Sequence, residues 1–298
     1  MGKSIYKSDE GRRAMAHWYE HFVARLGTEV EFVQVETRFG QTNVLVTGPK
    51  DAPPLWCFHG AMASAPAALA QVPELARRFR IYFPDTVGQP GRSTEMRLDW
   101  QGLEHGHWVV DVLDGLGVSS IRAIGVSLGG YVLLRAAQVA PERVERAVFW
   151  VPGGLIKPSW KPMFGLIGAG LAYALFPSRA RLERILSRTF TDMDDDYVSF
   201  FGDSLKHVHP DRRFPNTLPD GALEGWQGRV MLVTHQHDTV FPAEALKARA
   251  KAMFNHLEVS RHMEGWAHMP PFAKGALDDL VDEMERFLTS PSGDDLNQ

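Results

Sequence analysis

Short apolar segments that alternate with helical segments restrict the fold of this chain more than any other feature of its sequence. The later strand candidates lie at 80–85, 121–127, 146–153, 229–235 and 257–265. Helical segments between them include 128–144 and 242–254. Strands that follow one another through helical connections form a parallel sheet with helices on both faces. The pattern therefore predicts an α/β fold with a mostly parallel sheet.

The N-terminal part of the chain adds one helix and three more strand candidates. Residues 9–26 carry apolar side chains at helical spacing. VEFVQVET at 30–37 and TNVLVTG at 42–48 flank RFGQ, a sequence typical of a turn, and predict a hairpin. PPLWCFHG at 53–60 is continuously apolar, as expected for a strand buried on both faces. The predicted sheet thus has eight strands and an antiparallel start.

Residues 155–225 interrupt this alternation because they contain no convincing strand. A connection of this length without secondary structure is uncommon in a compact domain, so a helical insertion above the sheet is expected. The predicted division is a core formed by 1–154 and 226–290, a helical cap formed by 155–225, and a disordered tail at 291–298.

Charge and composition argue against several classes of protein. The 298 residues include 32 Lys and Arg and 36 Asp and Glu, a net charge of −4 without a long run of either sign. Nucleic acid is therefore not expected as a partner. The apolar stretch at 163–176 is too short to span a bilayer, and the N-terminus lacks a signal sequence. A cytoplasmic protein is predicted, with Cys57 as a reduced, buried thiol. No oligomeric state is predicted.

Three histidine pairs resemble half of a metal site: HGH at 105–107, HVH at 207–209 and HQH at 235–237. They fall on a predicted helix, the insertion and a loop, so nothing in the sequence brings them together. Neither an H-E-x-x-H motif nor a spaced set of cysteines accompanies them. No metal and no cofactor is therefore predicted.

The segment AIGVSLGGY at 123–131 contains a G-x-S-x-G motif around Ser127. Ser127 lies where a predicted strand ends and a predicted helix begins, which is the setting of a nucleophile elbow. The flanking glycines allow the strand and the helix to approach closely, and the first helical turn favours negative charge beside the serine. The alternative is a tight turn that uses small residues for packing alone.

A serine nucleophile needs a base and an orienting acid. His268, in EGWAHMPPF, and Asp238, in VTHQHDTVFP, each follow a predicted strand and so belong to the same sheet edge as Ser127. The order Ser…Asp…His matches the arrangement typical of this motif. The alternatives are a solvent-exposed loop histidine at 268 and a helix cap at 238.

An oxyanion hole is predicted beside the serine. CFHGAMAS ends a strand at His-Gly, and the backbone N–H of Ala61 is the candidate donor from this loop. The second candidate is the N–H of Leu128, the residue after the nucleophile. His59 is expected to brace the loop.

These motifs together resemble the serine α/β-hydrolases over nearly the whole chain. They occur in that family's order and spacing: HGAMAS (59–64), PDTVGQPGRS (84–93), GVSLGG (125–130), HQHDTVFP (235–242) and GWAHMP (265–270). More narrowly, residues 36–61 are similar to the N-terminal part of bacterial carboxylesterases of the naproxen-esterase type. The resemblance implies an α/β-hydrolase fold, a cap between the sixth and seventh strands, and a triad of Ser127, Asp238 and His268.

The resemblance implies a carboxylic-ester hydrolase that acts on a small-molecule ester. A lactonase or C–C bond hydrolase with the same triad is one alternative, and a ligand-binding protein without turnover is another. KPMFGLIGAGLAYALF at 161–176 is apolar nearly all round. Trp160, Met163 and Phe164 are therefore expected to help form the roof of an apolar substrate pocket, or else to pack the cap against the sheet.

Overall fold

An eight-stranded sheet forms the centre of the computed structural model, which describes residues 4–159, 173, 176–211, 213 and 215–291. The strand order is β1-β2-β4-β3-β5-β6-β7-β8. The strands are β1 (Val30–Thr37), β2 (Gly40–Thr47), β3 (Pro54–Phe58), β4 (Arg80–Pro84), β5 (Ile121–Val126), β6 (Val144–Trp150), β7 (Arg229–His235) and β8 (Leu257–Met263).

The sheet begins with antiparallel pairing and continues in parallel. β1 pairs with β2 and β2 with β4 in antiparallel register, whereas the remaining neighbours pair in parallel. The predicted α/β fold with an eight-stranded, mostly parallel sheet is confirmed. β2 begins two residues before its predicted start, because the hairpin turn is only two residues long and Thr37 already pairs with Gly40.

Several predicted strands extend too far at their carboxyl ends. β3 ends at Phe58, β5 at Val126 and β6 at Trp150. The predicted segments ran on to 60, 127 and 153, because the apolar and small residues that follow resemble strand residues. At these ends the backbone instead leaves the sheet, with φ of 51° at Ser127 and 42° at Val151.

Helices cover both faces of the sheet. The α-helices of the described residues are α1 (Asp9–Arg25), α2 (Ala65–Leu69), α3 (Glu74–Arg78), α4 (Glu104–Gly115), α5 (Leu128–Val139), α6 (Arg179–Leu186), α7 (Asp195–His207), α8 (Ala243–Met253) and α9 (Asp278–Thr289). Apolar residues of α4, α5 and α8 form one buried cluster with the sheet, and those of α2, α3 and α9 form another. Alternate residues of a strand face opposite clusters, as Trp56 and Cys57 do.

The segment between β6 and β7 contains α6 and α7, and no strand occurs among its described residues. α7 packs against α1, where Phe22 lies between the rings of Tyr197 and Phe200 at centroid distances of 4.8 and 5.3 Å. Trp18 Nε1 also donates to Asp203 Oδ2 at 2.8 Å. The apolar face predicted for the first helix is thus used to hold the segment that follows β6.

The predicted domain division includes a C-terminal tail and a cap. The predicted tail lies outside the described residues except for Pro291. The boundaries of the cap, 155–225, stay a prediction. Within the described part of the chain, no helix is both long and apolar enough to cross a membrane.

Three buried histidines predict how the stability of the fold depends on pH. Burial lowers the pKa of His59, and it lowers those of His105 and His235 to about 4. In the unfolded chain a histidine titrates near about 6.5, so between these values the unfolded chain binds more protons than the native protein. The free energy of unfolding should therefore fall as the pH drops from 6.5 to 5, by about 1 kcal/mol per pH unit for each such histidine.

Urea unfolding at several pH values measures this effect. His105 stacks on Trp100 at a centroid distance of 4.3 Å, so His105→Phe keeps an aromatic ring in that place while removing the titrating group. The variant should lose less stability than the wild type over the same pH interval. Equal pH dependence of the two proteins, or no pH dependence in the wild type, would contradict the assignment.

Candidate active site

Ser127 occupies a strained turn between β5 and α5. Its backbone angles are φ 51° and ψ −110°, a region that side chains other than glycine rarely adopt. Gly125 and Gly129 make the turn possible. A Cβ at Gly125 would lie 2.6 Å from the Gly129 carbonyl oxygen, and a Cβ at Gly129 would overlap the Phe58 carbonyl oxygen. The glycines therefore serve a close approach between α5 and the strands beneath it.

The chain after β6 holds this turn from the other side. Ser127 N–H donates to Trp150 O at 2.9 Å, and Gly153 N–H donates to Ser127 O at 2.8 Å. Between these residues Val151 adopts a φ of 42°, which is unusual for a β-branched residue. The strained backbone at Val151 thus places Gly153 N–H within hydrogen-bond distance of the Ser127 carbonyl oxygen.

The structure brings Ser127, His268 and Asp238 together. His268 Nε2 lies 3.1 Å from Ser127 Oγ, and His268 Nδ1 lies 2.9 Å from Asp238 Oδ2. An ionised Asp238 accepts from Nδ1–H, which leaves Nε2 free to accept the serine proton. The His268 side chain is 14% exposed and that of Asp238 is fully buried. Neither the solvent-exposed loop histidine nor the small-residue packing turn describes this arrangement.

The environment of Asp238 keeps its carboxylate charged. Burial by itself raises the pKa of Asp238, but the charge of His268 and the hydrogen bonds that the carboxylate accepts lower it below its ordinary value. Besides His268, the donors are the N–H groups of Val240 and Phe241, at 2.7 and 2.9 Å from Oδ1. Asp238 therefore orders the turn before α8 with one oxygen and contacts His268 with the other.

His235 supports the loop that carries His268, a contact that sequence reasoning missed. Trp150 Nε1–H donates to His235 Nε2 at 2.7 Å, and His235 Nδ1–H donates to Ala267 O at 2.5 Å. Both contacts need the neutral imidazole with its proton on Nδ1, and burial favours this form by lowering the pKa to about 4. The only signal in the sequence was a histidine at the end of a mostly apolar strand.

The two predicted oxyanion donors belong to segments that adjoin the serine. Leu128 is the first residue of α5, and Ala61 belongs to the loop whose neighbour Gly60 would place a Cβ 3.6 Å from Ser127 Cβ. Among the described residues, no acceptor takes the N–H of either one. The first N–H groups of a helix have no intrahelical partner, so the Leu128 donor is available to a ligand.

Two buried side chains shape the Ala61 loop. His59 Nδ1–H donates to Gly60 O at 2.8 Å, and Thr86 N–H donates to His59 Nε2 at 3.0 Å, so His59 braces the loop as expected. Gln89, which sequence reasoning missed, accepts from Met62 N–H at 2.9 Å. Met62 has a φ of 62°, and this hydrogen bond holds the strained residue next to Ala61.

The three histidine pairs do not meet. His105 lies on α4 beside Trp100, His207 ends α7, and His235 ends β7. Within the described ranges, no group of three or more His, Cys, Asp or Glu side chains is placed to hold a metal ion.

The predicted pocket residues Trp160, Met163 and Phe164 lie outside the described residues, so the roof stays a prediction. An aromatic side chain lies beside the triad. Phe241 packs beside His268 at a centroid distance of 5.8 Å. Met62 and Met269, which adjoin Ala61 and His268, are partly buried against the apolar cluster between α1 and α7.

This fold and this arrangement define a class of protein. The sequence matches the alpha/beta hydrolase fold family over residues 53–274, and the chain belongs to this family. It is 34% identical over 250 residues to carboxylesterase YbfK of Bacillus subtilis, a match that covers 79% of this chain and 81% of that protein.

Two further proteins are similar to this chain. The crystal structure of naproxen esterase (carboxylesterase NP) from Bacillus subtilis superposes with a TM-score of 0.76 at 23% identity, over 90% of this chain and 96% of that one. The predicted resemblance to bacterial carboxylesterases of the naproxen-esterase type is confirmed. A shorter match, 29% identical over 117 residues, is to 2-hydroxy-6-oxo-6-phenylhexa-2,4-dienoate hydrolase of Burkholderia cepacia, and it covers 39% of this chain and 41% of that protein.

The close packing at Gly129 generates a test of the elbow. Gly129→Ala should lower the free energy of unfolding by about 1–3 kcal/mol, because the new methyl group meets the Phe58 carbonyl, a backbone atom that cannot rotate away. Gly225→Ala is the matched control, since a Cβ there has no neighbour within 4 Å. Urea unfolding of the three proteins measures the difference. Equal stability of the two variants would show that α5 and β3 are less closely packed than described.

Proposed function

We propose that this protein hydrolyses carboxylic esters of apolar small molecules through an acyl-enzyme on Ser127. The observation that carries the proposal is the continuous chain of contacts from Ser127 Oγ through His268 to the buried Asp238. The kinship with carboxylesterase YbfK supports an ester as the substrate.

The first half of the reaction transfers the acyl group to the enzyme. Ser127 Oγ attacks the carbonyl carbon while its proton moves to His268 Nε2, which lies 3.1 Å away. The charge that develops on the carbonyl oxygen is held by the N–H groups of Ala61 and Leu128. The carbon–oxygen bond to the alcohol then breaks, and His268 returns the proton to the departing alkoxide.

The second half releases the acid. A water molecule gives a proton to His268 Nε2 and attacks the acyl carbon, and the bond to Ser127 Oγ breaks as the proton passes to the serine. In both halves Asp238 stabilises the imidazolium, because its carboxylate stays charged when His268 takes up a proton. The proton and the electron pairs therefore balance without another reactant.

The apolar substrate class rests on the surroundings of the site. The Phe241 ring packs beside His268, and Met62 and Met269 adjoin Ala61 and His268 in the sequence. Burying a methylene group gains about 0.8 kcal/mol, so such surroundings favour apolar acyl or alcohol groups. The predicted roof of Trp160, Met163 and Phe164 and the predicted cytoplasmic location belong to the same proposal.

A C–C bond hydrolase is the second candidate, because one relative is a 2-hydroxy-6-oxo-6-phenylhexa-2,4-dienoate hydrolase. That match covers only 39% of the chain, so the ester is the favoured substrate. Turnover of p-nitrophenyl esters, lactones and vinylogous diketones at matched concentrations separates the candidates. The proposal expects the highest kcat/KM for the esters.

The central test removes the nucleophile. Ser127→Ala should lower kcat for p-nitrophenyl butyrate by at least about 10³-fold, because the remaining residues cannot form the acyl-enzyme. Labelling by a fluorophosphonate probe should also disappear. Ser120→Ala is the matched control, since Ser120 lies before β5 at the opposite edge of the sheet and bonds to Glu145.

The outcomes of this test are distinct. Full esterase activity in a folded Ser127→Ala protein would remove Ser127 from the mechanism. A wild-type protein that neither turns over an ester nor reacts with the probe would favour a ligand-binding protein on this fold.

A further inference from the structure

A short segment between α6 and α7 pairs with the loop that carries His268. Phe190 forms an isolated parallel bridge with Met269, the residue after His268. Thr191 N–H donates to Met269 O at 3.2 Å. The segment therefore reaches from the predicted insertion to the edge of the triad.

The hydroxyl of Thr191 contacts the loop on both sides of His268. Thr191 Oγ1 accepts from Ala267 N–H at 2.9 Å and donates to Met269 O at 2.6 Å. A threonine hydroxyl has one proton to donate and lone pairs to accept, so both hydrogen bonds form at once. The residues immediately before and after His268 are thus tied to one side chain.

The peptide groups of Ala267 are held from two directions. Its N–H is taken by Thr191 and its carbonyl oxygen by His235 Nδ1–H, which comes from the sheet. Residues 264–277 connect β8 to α9 without a helix or a named strand of their own. After His268 the loop is held by main-chain hydrogen bonds, from Met269 N–H to Thr189 O and from Thr191 N–H to Met269 O. Before His268 it is held at Ala267 by the side chains of Thr191 and His235, so these contacts set the backbone on that side of the imidazole.

The same segment makes a second anchor further along the loop. Asp192 Oδ1 accepts from Phe272 N–H at 2.8 Å, and the Phe272 ring packs on Tyr197 of α7 at a centroid distance of 4.4 Å. These contacts fix the loop to the insertion but do not adjoin His268. They predict that loss of the Thr191 hydroxyl displaces the imidazole while the loop stays attached.

We propose that Thr191 is a positioning residue, which holds the imidazole of His268 in line with Ser127 Oγ from the insertion. The inference rests on the proposed function, because it assigns Thr191 a part in the same proton transfer. Thr191 touches neither the substrate carbonyl nor the reacting atoms in this role. It acts through the backbone on either side of the base.

Thr191→Val removes the hydroxyl while nearly preserving the shape of the side chain. With Ala267 N–H left without this acceptor, kcat for p-nitrophenyl butyrate should fall by about 10- to 100-fold, because small displacements of a reacting group are costly. KM should stay within about twofold, since the substrate contacts are unchanged. The rate of labelling of Ser127 by a fluorophosphonate should fall by the same factor as kcat.

Two variants separate positioning from simple structural support. Thr191→Ser keeps the hydroxyl and should restore kcat to within about threefold of the wild type. Thr189→Val is the matched control, because its hydroxyl donates to Leu186 O instead of the loop, and its kinetics should equal those of the wild type. Melting temperatures of all variants are compared, and Thr191→Ala replaces Thr191→Val if the valine variant does not fold.

Each outcome bears on a different claim. An active wild type with Thr191→Val indistinguishable from Thr189→Val overturns this inference and leaves the proposed function intact. Equal losses in Thr191→Val and Thr191→Ser, or a rise in KM alone, also overturn it. A wild type without esterase activity or probe labelling overturns the proposed function itself.

Discussion

The close contact between α5 and β3 fixes the position of Ser127, and the rest of the site is arranged around it. A side chain at Gly129 would overlap the Phe58 carbonyl, so only glycine allows this approach. The approach forces Ser127 into a strained conformation with φ 51°. Strain of this kind persists only where the surroundings impose it, and here the hydrogen bonds to Trp150 and Gly153 do so. The hydroxyl is thereby held at the carboxyl edge of the sheet.

Around this fixed hydroxyl, the structure keeps the Asp238 side chain charged and the His235 side chain neutral. Asp238 stays ionised because the hydrogen bonds it accepts and its contact with His268 outweigh the cost of its burial. His235, which ends the strand before the Asp238 loop, stays neutral because burial lowers its pKa to about 4. One carboxylate can therefore stabilise charge on His268, while the neutral His235 serves only to hold the Ala267 carbonyl. The site needs both states at neutral pH.

Most of the fold could be predicted from the sequence, because the signals for strands and helices are local. Apolar runs such as 229–235 predicted their strands to the residue. The motif around Ser127 and the loops at Asp238 and His268 were also predictable, since each follows a strand at one edge. The φ of Val151 had no such signal, because valine rarely adopts it. Thr191 was missed because its contact with Ala267 joins residues 76 positions apart.

The account depends on a covalent intermediate at Ser127, and intact-protein mass spectrometry after rapid mixing with p-nitrophenyl butyrate tests it most directly. The account predicts a mass increase of one butyryl group that forms as p-nitrophenol is released, and peptide mapping should locate it on Ser127. The adduct should be absent from Ser127→Ala. Ester turnover without an acyl group on Ser127, or an acyl group on another residue that turns over at the rate of catalysis, would contradict the account.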